Sequence, residues 1–449
     1  MTEEGERESH QRRAVRDTIP RLVPVSTRRI ILFWLPLAAT WFMMALEGPY
    51  VAAIVARMPD AARGLAAFGV AVSLAWLIES PIMMLLSASA ALVRDRASYL
   101  ALRRFANTLN ALVTAGMVVL ALPPVFDFVA ERLIGLPHDI AQATHVATTA
   151  MILWPAAIGY RRFYQGMLVR HHLTRRVAYG TVVRLTTMSV TAALLAFVFD
   201  VQGALVGALA LLAGVLCEAA ASRFMARELV RDLMTSGAVA EGTLLRQRDI
   251  AHFYFPLALT SILAMALGPL VTFGLGRGLA PLESLAVWPI VNSMLFLFRS
   301  GGVAFQEVGI ALDADREVGR TAIGIGLLAS LALVLVAWTP LEHLWLQQFS
   351  GLSPALAEFA LWPIRILILF PALEYLVSFQ RARWILEHRT GIVTMASAIE
   401  AVTLAAMLFV SFGVFNLAGA IGGALAMLAG RVASCVYLAA CEARFARTR

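Results

Sequence analysis

A chain of 449 residues that is 60% apolar, with a mean hydropathy of +0.76, has too little polar surface to enclose a water-soluble core and reads as an integral membrane protein. Its formal charge of +8 comes from arginine, since lysine is absent. The arginines are spread over many loops instead of forming one basic domain interleaved with aromatics, which excludes nucleic acid as a partner.

In hydrocarbon each backbone amide must be satisfied within its own segment, so long apolar runs without strand alternation mean spanning helices. About twelve are expected, and the fold class is all-α. A polar tail at 1–28 is followed by spans near 29–57, 65–93, 104–125, 142–168, 177–199 and 203–226, which make a first lobe at 29–226. A charged, Gly-containing linker at 227–250 leads to spans near 251–276, 284–312, 321–341, 355–385, 391–413 and 415–440. These make a second lobe at 251–440, with 441–449 as a terminal tail. The first apolar stretch is far longer than a signal-peptide h-region, so no cleavable signal is expected.

Basic residues are retained on the cytoplasmic side during insertion, and alternate loops carry them. The first tail has Arg7, Arg12, Arg13, Arg16, Arg21, Arg28 and Arg29; later loops have Arg94, Arg96, Arg103 and Arg104, then Arg170, Arg175 and Arg176. In the second half the same side takes Arg316 and Arg320, then Arg381, Arg383 and Arg389. The opposite loops hold mainly Asp127, Glu131, Asp139, Glu342 and Glu358. Both termini are therefore expected in the cytoplasm, in a multi-pass protein of the cell (inner) membrane.

The halves are copies. GALVGALALLAG at Gly203 to Gly214 and GAIGGALAMLAG at Gly419 to Gly430 agree at nine of twelve positions, 216 residues apart. The same offset carries Pro124, Gly135 and Pro155 onto Pro340, Gly351 and Pro371. Earlier in each half the offset is 220: FWLPLAAT at Phe33 to Thr40 meets FYFPLALT at Phe253 to Thr260, and Gly48-Pro49 lands on Gly268-Pro269. Six spans per half give both copies the same orientation, so a pseudo-two-fold axis along the membrane normal relates them. Pro49, Pro81, Pro269 and Pro371, within or beside spans, are candidate hinges because each removes a backbone hydrogen bond. The repeated glycines are read as packing positions.

An ionisable side chain at mid-membrane costs on the order of 3 kcal/mol on insertion scales, so a chain that keeps many of them is lining a cavity or closing ion pairs. Glu79 and Arg299 occupy equivalent positions in the two copies, as do Arg184 and Glu400. Arginine presents a permanently charged fork suited to carboxylate or phosphate. The candidate anion ligands are Arg161, Arg162, Arg184, Arg299 and Arg365, with Asn292. Carboxyls held out of water can exchange protons near neutral pH, which makes Glu47, Glu79, Glu374 and Glu400 candidates for coupling to H+ or Na+. Further intramembrane charges are Glu218, Glu307 and Arg431.

No HExxH pair, nucleophile elbow, Walker loop or paired Asp-rich motif occurs, so no enzyme, cofactor or metal is expected. Cys217, Cys435 and Cys441 suggest neither a disulfide framework nor a metal knuckle.

LAAFGVAVSLAWLIESPIMMLLSASAALVRDR at Leu65 to Arg96, HFYFPLAL at His252 to Leu259 and WPIRILILFP at Trp362 to Pro371 together resemble the progressive ankylosis protein family. That family lies within the MATE-like transporters of the multidrug, oligosaccharidyl-lipid and polysaccharide exporter superfamily. The resemblance implies two six-helix lobes in a V around a central cleft that opens alternately to either face. It also implies export of anions such as pyrophosphate, nucleotides or citrate. Arg365 and the Ser80-Pro81 turn fall on matching positions; the match is looser around Arg299, and Glu79 departs from the pattern. The expected partners are a small anionic solute and membrane lipids, and the expected state is a monomer. The alternatives are a drug or lipid-linked saccharide exporter of the same superfamily, then a membrane scaffold or a membrane enzyme.

Overall fold

The computed structural model describes residues 26–447 apart from 56, 135, 200, 202, 236–245, 276 and 351. The first arginines of the tail, Arg7 to Arg21, and the middle of the linker lie outside the described residues.

The first lobe runs α1 Thr27–Val55, α2 Ala61–Glu79, α3 Leu85–Leu92, α4 Arg96–Ala121, α5 His138–Ala150, α6 Trp154–Arg170, α7 Thr174–Phe197 and α8 Gly203–Met225, followed by the short surface helix α9 Arg227–Thr235. The second runs α10 Gln247–Leu275, α11 Pro281–Val303, α12 Phe305–Ala311, α13 Arg316–Trp338, α14 Pro354–Ile366, α15 Phe370–Leu386, α16 Thr390–Gly413 and α17 Gly419–Arg447. Pairing α2 with α3, α5 with α6, α11 with α12 and α14 with α15 gives twelve columns, six per lobe. Among the described residues, ten of them are long and apolar enough to cross a membrane by length and composition. The other two are the fourth and eighth, which carry Arg161, Arg162 and Arg299. The chain is a multi-pass membrane protein.

The interruptions have local causes. Pro81 has no N–H, and a 3-10 turn at Ser80–Ile82 separates α2 from α3. The turn Leu367–Leu369 precedes Pro371 at the start of α15. By contrast, α1 and α10 continue as helix through Pro49 and Pro269, whose side chains lie outside the described residues.

Equivalence of the lobes extends to fine geometry. Both contain a π-helical turn, at Phe128–Ile134 and Leu344–Phe349. Left-handed backbone recurs at Asp60 and Ala280, with φ 53° and 51°, and at His172 and His388, with φ 60° and 56°. His172 packs on Phe33 and His388 on Phe253, each with centroids 5.4 Å apart. The repeated glycines are packing positions: a Cβ on Gly214 would come within 3.0 Å of the Arg184 carbonyl, and one on Gly430 within 2.8 Å of the Glu400 carbonyl. Only glycine lets α8 and α17 approach the charge-bearing helices α7 and α16 so closely.

Three buried apolar clusters locate the cleft. One joins both lobes and is drawn from helix halves next to the arginine-rich loops, including Ile82, Leu85, Phe163, Leu257, Phe305 and Ile385. The second belongs to the first lobe alone and the third to the second lobe alone, and both are drawn from the opposite halves. The lobes therefore close on each other at the arginine-rich face and part toward the acidic-loop face, which makes a V.

The seam at the closed end obeys the two-fold axis. Trp34 Nε1 on α1 donates to the Gly301 carbonyl at 2.8 Å, and Tyr254 Oη on α10 donates to the Pro81 carbonyl at 2.6 Å. Both donor and acceptor of the second bond are the first displaced by 220 residues. Ser80 and Ser300, also equivalent, cap the carbonyls of Leu77 and Leu297 at 2.8 and 2.9 Å. Ser87 and Glu307 are copies of one position, and their side chains meet at 3.5 Å; a residue that touches its own copy sits on the axis. Gln306 completes this contact by donating to Ser87 at 2.9 Å.

Candidate functional site: two buried charge networks

In the first lobe, Arg184 on α7 reaches Glu47 on α1 at 2.5 Å and Glu218 on α8 at 3.5 Å, while Arg161 on α6 pairs with Glu218 at 2.5 Å. Gln165, one helical turn beyond Arg161, donates to the other Glu218 oxygen at 3.0 Å, and Thr181, one turn before Arg184, donates at 3.4 Å. The i,i+4 and i,i+3 spacings put these groups on the faces of α6 and α7 that meet α8. Glu218 is wholly buried. Two guanidiniums against two carboxylates leave this network neutral, as burial of charge demands.

Two further charges lie beside it. Glu79 accepts a hydrogen bond from Trp154 Nε1, and the Arg184 guanidinium lies 5.6 Å from the Trp154 ring centroid. Arg162 lies 5.8 Å from the Trp41 ring, and its Nε finds no hydrogen-bond partner among the described residues.

In the second lobe, Arg299 on α11 pairs with Glu374 on α15 at 2.8 Å. Arg431 on α17 bridges Glu374 and Glu400, each at 3.0 Å. Arg381 reaches Glu400 at 3.5 Å and Ser397 at 3.1 Å. Phe370 supports the group, with its ring 4.8 Å from Arg431 and 5.8 Å from Arg299; it is the repeat equivalent of Trp154. Three guanidiniums against two carboxylates give a net +1, and Arg299 keeps 22% of its side chain exposed, against 7% for its partner Glu374.

Among the charges expected from sequence, the structure brings together Glu47, Arg161, Arg184 and Glu218 in one lobe and Arg299, Glu374, Glu400 and Arg431 in the other. Neither of the equivalent opposites, Glu79 with Arg299 or Arg184 with Glu400, forms a contact pair; each charge is met inside its own lobe. Arg365 lies apart: it is half-buried, reaches the Ala337 carbonyl at 3.4 Å, and sits 5.1 and 5.9 Å from the rings of Trp338 and Trp362. Those contacts are of the kind that anchors a helix at a membrane interface. Asn292 is exposed on α11, about two turns before Arg299.

Arg381 is a correction. Sequence reading places it with Arg383 and Arg389 among loop arginines, but the structure buries it in the second network. Its repeat equivalent is Gln165, so a polar residue at the matching place in the first lobe was the available signal. Among the described residues no group of three or more His, Cys, Asp or Glu side chains could hold a metal ion.

No family model matches this chain, and no curated protein matches it. Solved structures do. A Vibrio cholerae MATE transporter, VcmN, in a point-mutant form, superposes with a TM-score of 0.74 at 14% identity over 94% of this chain and 97% of that one. The fold is the MATE transporter fold. A transporter of the MOP superfamily from Pyrococcus furiosus, described as having a binding pocket of reverse polarity that suggests a different function, matches with a TM-score of 0.72 at 15% identity over 94% and 96%. An outward-facing multidrug resistance MATE transporter gives 0.70 at 15% identity over the same shares. All three proteins are named as transporters, none as an enzyme.

Proposed function

We propose that this chain is a secondary transporter that exports organic or phosphorylated anions by alternating access, in the manner implied by its resemblance to the progressive ankylosis family. The observation that carries the reading is the unequal second-lobe network. Its arginines outnumber its carboxylates, and the one that stays partly exposed, Arg299, sits on α11 at the inner limit of the V. A guanidinium there can exchange Glu374 for a solute carboxylate or phosphate without leaving a buried charge unpaired. Arg162, which has no carboxylate bound to it, supplies a second positive group from the first lobe. Glu47, Glu79, Glu374 and Glu400 are the groups through which H+ or Na+ would couple.

With the arginine-rich loops in the cytoplasm of a cell-membrane protein, the seam closes the inner face and the V opens outward. Release of solute to the outside then follows from weakened contacts across the open cleft. The protein works as a monomer, each copy holding its own cleft.

The test is flux into sealed vesicles. Purified protein should move radiolabelled pyrophosphate, citrate or a nucleotide, and Arg299→Ala should weaken the apparent affinity for that solute. If none of the three solutes moves and Arg299→Ala is without effect, the anion reading fails. A drug exporter is the second reading, favoured by the multidrug MATE transporter among the fold neighbours. Movement of a cationic dye in the same vesicles, dependent on Glu47 or Glu79, would replace the first reading with it.

A further inference from the structure

The outer flank of the first lobe, away from the cleft, carries a groove between α6 and α8 of about 710 Å³, open to the surroundings. Its walls are Leu153, Ala156, Ala157 and Tyr160 on one side and Leu216, Ala219 and Ala220 on the other, and it ends at Arg223, Phe224 and Arg227. From Leu216 to Arg227 the chain rises about 16 Å, close to half of a hydrocarbon core of about 30 Å, so the groove has the depth of one leaflet. Its apolar end lies near the middle of α8, and its charged end lies at the arginine-rich face.

The two arginines at that end have no acidic partner among the described residues. Arg223 lies 5.3 Å from the centroid of Tyr164, and Arg227 lies 4.2 Å from that of Phe224. A guanidinium held against a ring keeps its N–H edges available, and two such edges suit a phosphate. The nearby carboxylate Glu228 is engaged by Arg176 at 3.5 Å. The small residues Ala156, Ala157, Ala219 and Ala220 make the groove concave where larger side chains would fill it.

We infer that this groove is a binding site for one anionic glycerophospholipid of the arginine-side leaflet, with its phosphate on Arg223 and Arg227 and an acyl chain along Leu153 to Tyr160. The site is separate from the transport cleft and does not depend on what the cleft carries. An anionic headgroup is selected over a zwitterionic one because the site supplies two positive charges and no carboxylate to meet a choline.

Native mass spectrometry of the full chain, released from micelles doped with phosphatidylglycerol or with phosphatidylcholine, tests this. Phosphatidylglycerol should be retained on the order of tenfold more than phosphatidylcholine. The double variant Arg223→Ala/Arg227→Ala should lose that preference, whereas Arg248→Ala, which removes an exposed arginine elsewhere on the same face, should keep it. Ala220→Trp fills the groove and leaves both arginines in place, so it should also release the lipid. Inorganic phosphate in millimolar excess should not compete, because it brings no acyl chain. Equal retention of the two lipids, loss of the preference in Arg248→Ala, survival of binding in Ala220→Trp, or displacement by phosphate would each overturn the assignment.

Discussion

The two lobes each bury a charge network and use it differently. In the first, the arginine is on the fifth column and the acid on the sixth; in the second, the acid, Glu400, is on the eleventh and the arginine, Arg431, on the twelfth. Gly214 and Gly430 press the sixth and twelfth columns onto Arg184 and Glu400 in the same way, so at that one equivalent position the sign is exchanged, whereas Glu218 and Arg431 are not copies of each other, since the 216-residue offset carries Glu218 onto Ser434. The first network is balanced and sealed around Glu218. The second has one arginine more than it has acids, and that excess reaches the cleft through Arg299. A buried ion pair is weak support for stability but very costly to break on one side, so in the function proposed above the sealed network serves as architecture and the unequal one as the place where a ligand is admitted.

That contrast is most exposed to attack at the acids. Glu218→Ala would leave the wholly buried Arg161 without its carboxylate, while Arg184 keeps Glu47, and a loss of about 3–5 kcal/mol is expected, read as a large fall in the thermal midpoint of the detergent-solubilised protein. Glu374→Ala should cost less, because Arg431 keeps Glu400 and Arg299 can turn toward the cleft. Equal losses would mean that both networks are structural. The glycines give the next effect: Ala at Gly430 or Gly214 forces α17 or α8 off its neighbour, at about 1–3 kcal/mol each. Gly430→Ala should be the worse, since its Cβ would lie 2.8 Å from a carbonyl instead of 3.0 Å.

Arg299→Ala sharpens the comparison from the other side. Loss of a charge-assisted contact of about 1.5–3 kcal/mol corresponds to a roughly 10- to 100-fold fall in apparent solute affinity, measured as vesicle flux against solute concentration, with little change in thermal midpoint. Arg161→Ala should do the reverse, with a lowered midpoint and no specific change in affinity. At the seam, Ser87→Ala removes the hydrogen bonds made by Ser87 on the axis. About 1 kcal/mol should raise the fraction open at the arginine-rich face by roughly fivefold, visible as a longer distance component between spin labels on α3 and α12. No change in that distribution would remove Ser87 and Glu307 from the gate.

How much of this was legible in the chain depends on whether the information was local. Apolar length gave the helices, and exact spacing gave the duplication, because packing glycines and prolines cannot drift without displacing a helix. Offsets identify equivalent positions, though, and equivalent positions are neighbours only on the axis. Glu79 and Arg299 are therefore copies without being partners, whereas Ser87 and Glu307 are both. The seam bonds of Trp34 and Tyr254 were hidden because the donors differ in type and their acceptors are backbone carbonyls. Arg381 was hidden by its position near a helix end. Glu374, Ser378 and Arg381 follow one face at i, i+4 and i+7, while Arg383, about 200° further round, turns outward to Glu442 at 3.0 Å. Net charge along a segment does not separate the two; helical phase does.

The smallest expected effect contrasts the two faces of the membrane instead of the two lobes. On the acidic-loop side, His138 hydrogen-bonds Glu131 at 2.7 Å, and that bond together with the carboxylate charge raises its pKa above 6.5. On the arginine-rich side, burial lowers the pKa of His172, with Arg29 adding repulsion. The signs of linkage are opposite. The His138 contribution to stability is complete below its unfolded pKa and is lost as pH rises through the folded value. That of His172 is complete above its unfolded pKa and is lost as pH falls through the folded value. Ring-proton titration by NMR in detergent, with His138→Gln and His172→Gln to assign the signals, should give one pKa on each side of 6.5. If His172 titrates at or above 6.5, the packing of its ring against Phe33 does not persist in the membrane-mimetic state, and the matching contact between His388 and Phe253 is brought into question with it.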